Sequence, residues 1–400
     1  MLFLISDYLG RLDLNAIRPI NTYHSFDAIS HATRLHQAGL DHELQAFINQ
    51  LSGEGVSEIK PWLSQLLLKS ASYDEGSLPT SVYQRCEGWR AYFQGHYVEA
   101  YDRFQDSINT VDWQQYAYDA ALGIAKVYTR SGHWQAAQQW ALYHLSVVRA
   151  LRDDFGLTKG YGALAEIYLR GNQPQAALAC FQVANQLMPL GQGQLDKQYN
   201  FIASALMRNG EGLRAETLLR NSVKMSTDKL DINPDDMSAK ISYLHSWSRL
   251  SYLYLELEQD LQLPDTVKTL LNECSHPALY VPAGFVLSAL AIQAIRAGHN
   301  DKAIDYLSSA QTAFSHSAAM EYQWVLRLID SLVGRLNSDF VRHPNCQELL
   351  DIQPLESPAM DIVVDKTWAN VTLDNAGYQP LVAGQDSIED LIQMWKLFFI

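Results

Sequence analysis

The sequence predicts an all-α protein built from stacked helical hairpins. Five alanines, each five residues after a helix-breaking Gly or Asn, are Ala100, Ala137, Ala177, Ala215 and Ala303, which follow Gly95, Gly132, Asn172, Gly210 and Gly298. The alanines are 37, 40, 38 and 88 residues apart, and the last interval is close to two periods of 44, which indicates one diverged unit. Self-similarity at this period is typical of an α-solenoid. We expect such a solenoid with short irregular or β-like segments at both ends.

Composition supports a folded chain that grows by adding units. Of the 400 residues, 48% are hydrophobic and 11% aromatic, which excludes disorder as the main state. A solenoid reaches this length without splitting into globules because each unit needs only its neighbours. The net charge of -14 would repel nucleic acid and anionic lipid, so neither is expected as a partner.

The cysteines and the N-terminal residues indicate whether the protein binds a metal and in which cellular compartment it works. The four cysteines are scattered, which favours neither a zinc site nor a disulfide framework. The first apolar run is short and has no basic region before it, and no stretch approaches about 18 uninterrupted apolar residues. The sequence therefore predicts a soluble cytoplasmic protein with reduced thiols and without metal or cofactor.

The helical array lies between irregular ends. The predicted segments are an N-terminal arm at 1–25, helical hairpins at 26–80, regular repeats at 81–225, a linker at 226–238, diverged and regular repeats at 239–316, a capping helix at 317–336, an irregular segment at 337–386 and an amphipathic helix at 387–400. Short β-like runs are expected at 2–5 and 361–373. The diverged unit should hold helices near 238–258 and 264–275.

The C-terminal helix has an apolar stripe with helical spacing, formed by Ile388, Leu391, Ile392, Trp395, Phe398 and Phe399. A stripe of this kind must be buried. It either caps the last repeats or binds a partner, and a contact in a dimer is one form of the second alternative. The oligomeric state stays open.

Close packing explains the recurring alanines, because the second helix of each hairpin crosses the first where a methyl is the largest group that fits. This pattern resembles the tetratricopeptide repeat (TPR) family. The third unit matches best, at Ala165, Tyr168, Ala177, Phe181, Ala184 and Pro189. The others match in part, at Gly88, Gly95, Tyr97, Ala100 and Phe104; at Ala125, Tyr128, Gly132, Trp134 and Ala137; at Ala203, Gly210, Ala215 and Leu219; and at Ala291, Gly298, Ala303, Leu307 and Ala310.

The resemblance covers about 81–316 and implies a right-handed superhelix with a concave groove that binds a protein segment. The periods of 37 to 44 exceed the family's usual value of about 34, and most units lack the closing proline. These departures imply longer helices and an irregular pitch, closer to the divergent arrays of bacterial regulatory and sensor proteins than to chaperone-binding clamps.

Basic residues recur near the ends of the first helices. Arg130, Arg170, Arg208 and Arg296 each lie two residues before the turn, and Lys126, Lys159 and Lys197 fall on the same stripes. They either form a ladder that binds an acidic segment or only interact favourably with the helix dipole. That interaction contributes about 0.3 to 1 kcal/mol for each cation. Glu166, four residues before Arg170, offers an internal ion pair and so supports the second alternative.

Two aromatic residues of the first repeat, Trp89 and Tyr92, occupy positions that are polar in other repeats. They either anchor an apolar side chain of a partner or pack against neighbouring helices.

His31, His36 and His42 are spaced by five and six residues, which does not suit a metal site. No motif of a metalloprotease, phosphate loop, dinucleotide fold or nucleophile elbow is present.

The expected function is that of a non-enzymatic scaffold or adaptor that binds a protein or peptide in its groove. That partner would be acidic if the arginines bind it. The alternative is a regulatory sensor that responds to a peptide or small ligand.

Overall fold

A computed structural model of the protein describes residues 41–50, 80–93, 96–111, 117–151, 153–187, 195–272, 277–316 and 320–337, with the single residues Trp368, Val371, Leu373, Ile388 and Ile392. This part of the chain holds fourteen α-helices and no β-strand, so the all-α class is confirmed for it. The run predicted as β-like at 2–5 lies outside the described residues, as does most of that at 361–373. Trp368, within the second run, is helical.

Most of the helices come in pairs joined by short turns. In chain order they are α1 Asp41–Gln50, α2 Thr80–Phe93, α3 Tyr97–Ile108, α4 Ala120–Arg130, α5 Trp134–Ala150, α6 Asp154–Arg170, α7 Pro174–Leu187, α8 Leu195–Arg208, α9 Gly212–Ile232, α10 Met237–Glu256, α11 Asp265–Asn272, α12 Pro277–Arg296, α13 Asn300–Ser315 and α14 Met320–Leu336.

The diverged unit has the two helices that its apolar pattern predicts, α10 and α11. Helix α14 fills most of the segment predicted as a capping helix. Helix α9, however, continues to Ile232, past the start of the predicted linker at 226. The reason is local: nothing between 226 and 232 interrupts a helix, and the first residue that does so is Pro234.

The described residues divide into two compact units. The first holds α1 to α6, the part of α7 from Ala179 onward, Trp368, Val371 and Leu373. Within it each helix from α2 to α6 packs on the next, and the first helices of successive hairpins also touch, α2 on α4 and α4 on α6.

Phe104 shows how closely the hairpins of the first unit approach one another. Its ring, on α3, is fully buried between α2 and α4. A Cβ placed on Gly88 would lie 2.6 Å from this ring, and one on Gly123 would lie 2.4 Å from it. Glycine is therefore the residue that lets α2 and α4 close around the phenyl ring.

The second unit holds Gly171–Leu178, α8 to α14, Ile388 and Ile392. Consecutive helices pack from α8 to α11 and from α12 to α14, and α8 also packs on α10 and α10 on α12. One core cluster joins these helices except α11, and Ile392 belongs to it at 4% exposure. All five motif alanines, in both units, are 0% exposed, so their predicted close packing is confirmed.

Helix α12 is the most apolar helix of the second unit. Its segment Leu279–Arg296 is long and apolar enough to cross a membrane, and among the described residues it is the one segment that meets this test. A majority of the segment, 61%, is buried inside the protein, as in the core helix of a folded domain.

Candidate functional site

The predicted arginines hold equivalent positions at the ends of first helices. Among the described residues, those with positive φ are Gly132, Asn172, Gly210, Glu258 and Gly298, at 54° to 79°, and each follows a first helix. Glu258 marks the turn of the diverged hairpin, which the Gly-Ala pattern does not find. The residues two positions earlier are Arg130, Arg170, Arg208, Glu256 and Arg296. The row is thus four arginines interrupted by one glutamate.

In the first unit, three of the predicted cations converge on one carboxylate. Lys126 Nζ lies 3.5 Å from Glu166 Oε2. Arg130 Nη2 and Arg170 Nη2 lie 3.5 and 3.2 Å from Glu166 Oε1. Because Lys126 and Arg130 are on α4 while Glu166 and Arg170 are on α6, this Glu166 cluster joins two successive first helices.

The three cations of the Glu166 cluster keep the Glu166 carboxylate ionised. Burial would raise the pKa of the Glu166 carboxyl, which is 15% exposed, but Lys126, Arg130 and Arg170 together outweigh burial and hold that pKa well below its usual range. The cation side chains are 13% to 26% exposed, so an approaching carboxylate could reach them.

The two predicted aromatic residues have different surroundings. The Tyr92 hydroxyl accepts a hydrogen bond of 3.1 Å from Arg130 Nε and so extends the Glu166 cluster to α2. Trp89 is 1% exposed and meets Phe104 edge to face, with ring centroids 5.1 Å apart. Trp89 therefore offers a partner almost no surface. Its surroundings agree with the other alternative, packing against neighbouring helices.

The remaining predicted lysines are not assigned to the cluster. Lys159 lies near the start of α6, two turns before Glu166, where its charge acts on the buried His144. Burial is the main reason that the pKa of His144 is lowered, and Lys159 adds to that effect. The side chain of Lys197 lies outside the described part of the protein.

In the second unit, the glutamate of the row lies beside a buried tyrosine. The Tyr252 hydroxyl donates a hydrogen bond of 2.7 Å to Glu256 Oε1. Burial and this bond raise the pKa of Tyr252, while the charges of Arg208 and Arg296 act in the opposite direction. Arg296 also donates a bond of 2.8 Å to the Leu255 carbonyl, in the last turn of α10.

Sequence reasoning missed a cleft of about 1140 Å³ in the second unit. Its walls come from the end of α10, the following loop, α11, α12 and α13. Leu263, Leu271, Leu287 and Leu290 line the cleft and are only partly buried. Charged residues also line it, and they are Glu258, Asp260, Lys268, Arg296 and Lys302. We call this site the α11 cleft.

The short second helix accounts for the α11 cleft. Helix α11 has 8 residues, whereas the second helices α3, α5, α7, α9 and α13 have 12 to 21. A helix of 8 residues covers only about 12 Å of its neighbours. The signal in the sequence was Pro264 and the polar residues at 258–260 and 262 before it, since α11 begins only at Asp265.

Among the described residues, no group of three His, Cys, Asp or Glu side chains is placed to hold a metal ion. Comparison with known proteins returns no matching family model and no matching curated relative. The resemblance to tetratricopeptide repeats therefore depends on the residues of the hairpins themselves.

Proposed function

We propose that the protein is a non-enzymatic scaffold or adaptor of the cytoplasm, a TPR-like solenoid that holds a segment of another protein. The observation that carries this proposal is the α11 cleft. The contacts within each unit support the array, because first helices pack on the next first helix as well as on their own partners.

The α11 cleft fits an amphipathic helix. Its partly buried leucines come from α11, α12 and the loop before α11, so they border the space that a longer second helix would cover. A partner helix with apolar side chains at intervals of about three and four residues would complete this packing. Glu258, Asp260, Lys268 and Lys302, which also line the cleft, would pair with charges of both signs.

The Glu166 cluster suggests a second property of the partner. Its cations are partly exposed, in a chain whose net charge is -14. A carboxylate of the partner would be attracted by the charges of Lys126, Arg130 and Arg170. We therefore propose that the bound protein also carries acidic residues.

The test compares capture by variants of the full chain. Leu263→Asp with Leu271→Asp puts two carboxylates on the apolar wall of the α11 cleft. The matched control is Leu213→Asp with Ile232→Asp, since those side chains on α9 are 76% and 87% exposed. A protein that the parent captures from a lysate is identified and purified, and its Kd is measured against each variant.

We expect the cleft variant to bind that protein at least about tenfold more weakly, a loss of about 1.4 kcal/mol, while the control keeps the parent affinity. Circular dichroism shows whether each variant is folded. A folded cleft variant with the Kd of the parent would exclude the α11 cleft as the binding site.

A further inference from the structure

The first unit holds a tryptophan that comes from a distant part of the chain. Trp368 is 7% exposed although it lies 200 residues after Tyr168, its partner on α6. Its ring stacks on Tyr168, with centroids 6.2 Å apart and planes at 26°, and meets Tyr161 at 67° with centroids 6.1 Å apart. Two rings of α6 thus contact the indole.

The same helices bind the main chain around this tryptophan. The Tyr168 hydroxyl donates a bond of 2.7 Å to the Trp368 carbonyl, and Gln138 Nε2, on α5, donates one of 3.0 Å to the same oxygen. Gln138 Nε2 also lies 3.1 Å from the Val371 carbonyl. The Val371 N–H donates to the Trp368 carbonyl at 3.3 Å, which closes a turn. We call Trp368, Val371 and the buried Leu373 the Trp368 turn.

The equivalent junction between α3 and α4 is filled from within. Tyr101 follows Ala100 as Gln138 follows Ala137, and Tyr128 holds the place of Tyr168. The Tyr101 and Tyr128 rings are in contact, with centroids 5.7 Å apart. At the α5–α6 junction a glutamine replaces the first of these rings, and Trp368 supplies the aromatic group instead.

We propose that the α5–α6 junction is a binding site for a tryptophan-bearing turn of a partner protein, and that the Trp368 turn is its occupant within the chain. Gln138 and Tyr168 bind main-chain carbonyls, and Tyr161 and Tyr168 bind the indole, so recognition requires no covalent connection to the site. A partner with Trp followed by apolar residues three and five positions later presents the same groups and displaces the Trp368 turn.

This proposal rests on the proposed role as a binding protein but uses another surface. The Trp368 turn, being part of the same chain, competes as a ligand at high effective concentration, on the order of mM. The site therefore binds a partner weakly until its own turn leaves, which makes the turn an inhibitor of that interaction. Removal of the Trp368 side chain should relieve the inhibition.

The experiment uses the full chain and a fluorescein-labelled peptide with the sequence of residues 365–375, followed by fluorescence anisotropy. Trp368→Ala should bind the peptide at least tenfold more tightly than the parent. Adding Gln138→Ala to that variant should abolish the gain, while adding Gln135→Ala, at an exposed position of α5, should preserve it. A peptide with Ala in place of Trp should not bind.

Circular dichroism and thermal melting accompany each titration, and Trp368→Leu replaces Trp368→Ala if the latter is unfolded. Equal affinity of parent and folded variant would overturn the proposal, as would unchanged binding after loss of Gln138. If both Trp368 variants are unfolded, the turn is a permanent part of the core and the proposal is wrong. The Leu263 and Leu271 variant of the α11 cleft should bind the peptide like its parent, so the two proposals fail separately.

Discussion

Glu166→Gln tests whether the Glu166 cluster stabilises the first unit. The amide keeps the size of the side chain but removes the negative charge that contacts Lys126, Arg130 and Arg170 at 3.2 to 3.5 Å. Removal of one partner from a fully buried ion pair costs about 3 to 5 kcal/mol. Because these side chains retain 13% to 26% exposure, solvent screens part of the effect, and we expect a loss of about 2 to 3 kcal/mol.

Urea denaturation at pH 7, followed by circular dichroism, measures this loss. The matched control is Glu216→Gln on α9, which breaks the same i,i+4 contact with one arginine, Arg220, whose side chain is 62% exposed. A surface pair of this kind should contribute about 0.5 kcal/mol or less. If Glu166→Gln costs no more than the control, the cluster is solvated and our account of its energetics is wrong.

The pH dependence provides a second check on the Glu166 cluster. The pKa of Glu166 is lower in the folded chain than the value of about 4.3 in an unfolded one. Its contribution to stability is therefore fully present above about pH 4.3 and is lost as the pH falls toward the folded-state pKa. The difference in unfolding free energy between parent and Glu166→Gln should be constant from pH 6 to 8 and should shrink below about pH 4.

Three further predictions concern packing and binding. Ala177→Glu places a charge where the side chain is 0% exposed and should cost about 3 kcal/mol or more; a Tm within about 2 °C of the parent would contradict this. Truncation after residue 386 removes Ile392, 4% exposed in the core of the second unit, so it should lower the Tm and raise binding of a hydrophobic dye, and unchanged melting without dye binding would favour a free tail. Replacing Arg130, Arg170 and Arg208 together with Gln should abolish capture of an acidic partner, and binding by the parent should weaken between about 0.05 and 0.5 M salt. A triple variant with unaltered affinity and salt dependence would show that these arginines do not bind the partner.

The regular hairpins could be located from the sequence because their signals are local. A glycine or asparagine in the left-handed region and an alanine five residues later both reflect constraints within one hairpin. Ala100 and Ala303 are accordingly both 0% exposed. The recurring arginines could be found for the same reason. The i,i+4 spacing also indicated that Glu166 pairs with Arg170. The contacts of Glu166 with Lys126 and Arg130 could not be predicted, because they depend on how α4 packs on α6.

Other features depend on contacts that no local pattern encodes. The docking of Trp368 on Tyr168 joins residues 200 positions apart, and the periodicity of neither segment indicates it. The α11 cleft arises from the length of a helix, which polar residues before Pro264 suggest but do not determine. The turn at Glu258 was missed because it lacks the glycine or asparagine that marks the other turns.

The diverged hairpin departs from the repeat in ways that lower its own stability. Glu258 adopts φ of 54°, a conformation that costs a residue other than glycine about 1 to 2 kcal/mol. Helix α11 is short, so it leaves Leu263 and Leu271 only partly buried, and each loses part of the roughly 1.5 to 3 kcal/mol that full burial of a leucine provides. Both departures border the α11 cleft, since Glu258 and both leucines line it. When several adjacent positions of one repeat lack the close packing of the other repeats, a function that needs the resulting cleft best explains the lost stability. A bound helix that covers these leucines would recover much of this apolar burial, and this is why we place the partner at the diverged hairpin rather than at the regular ones.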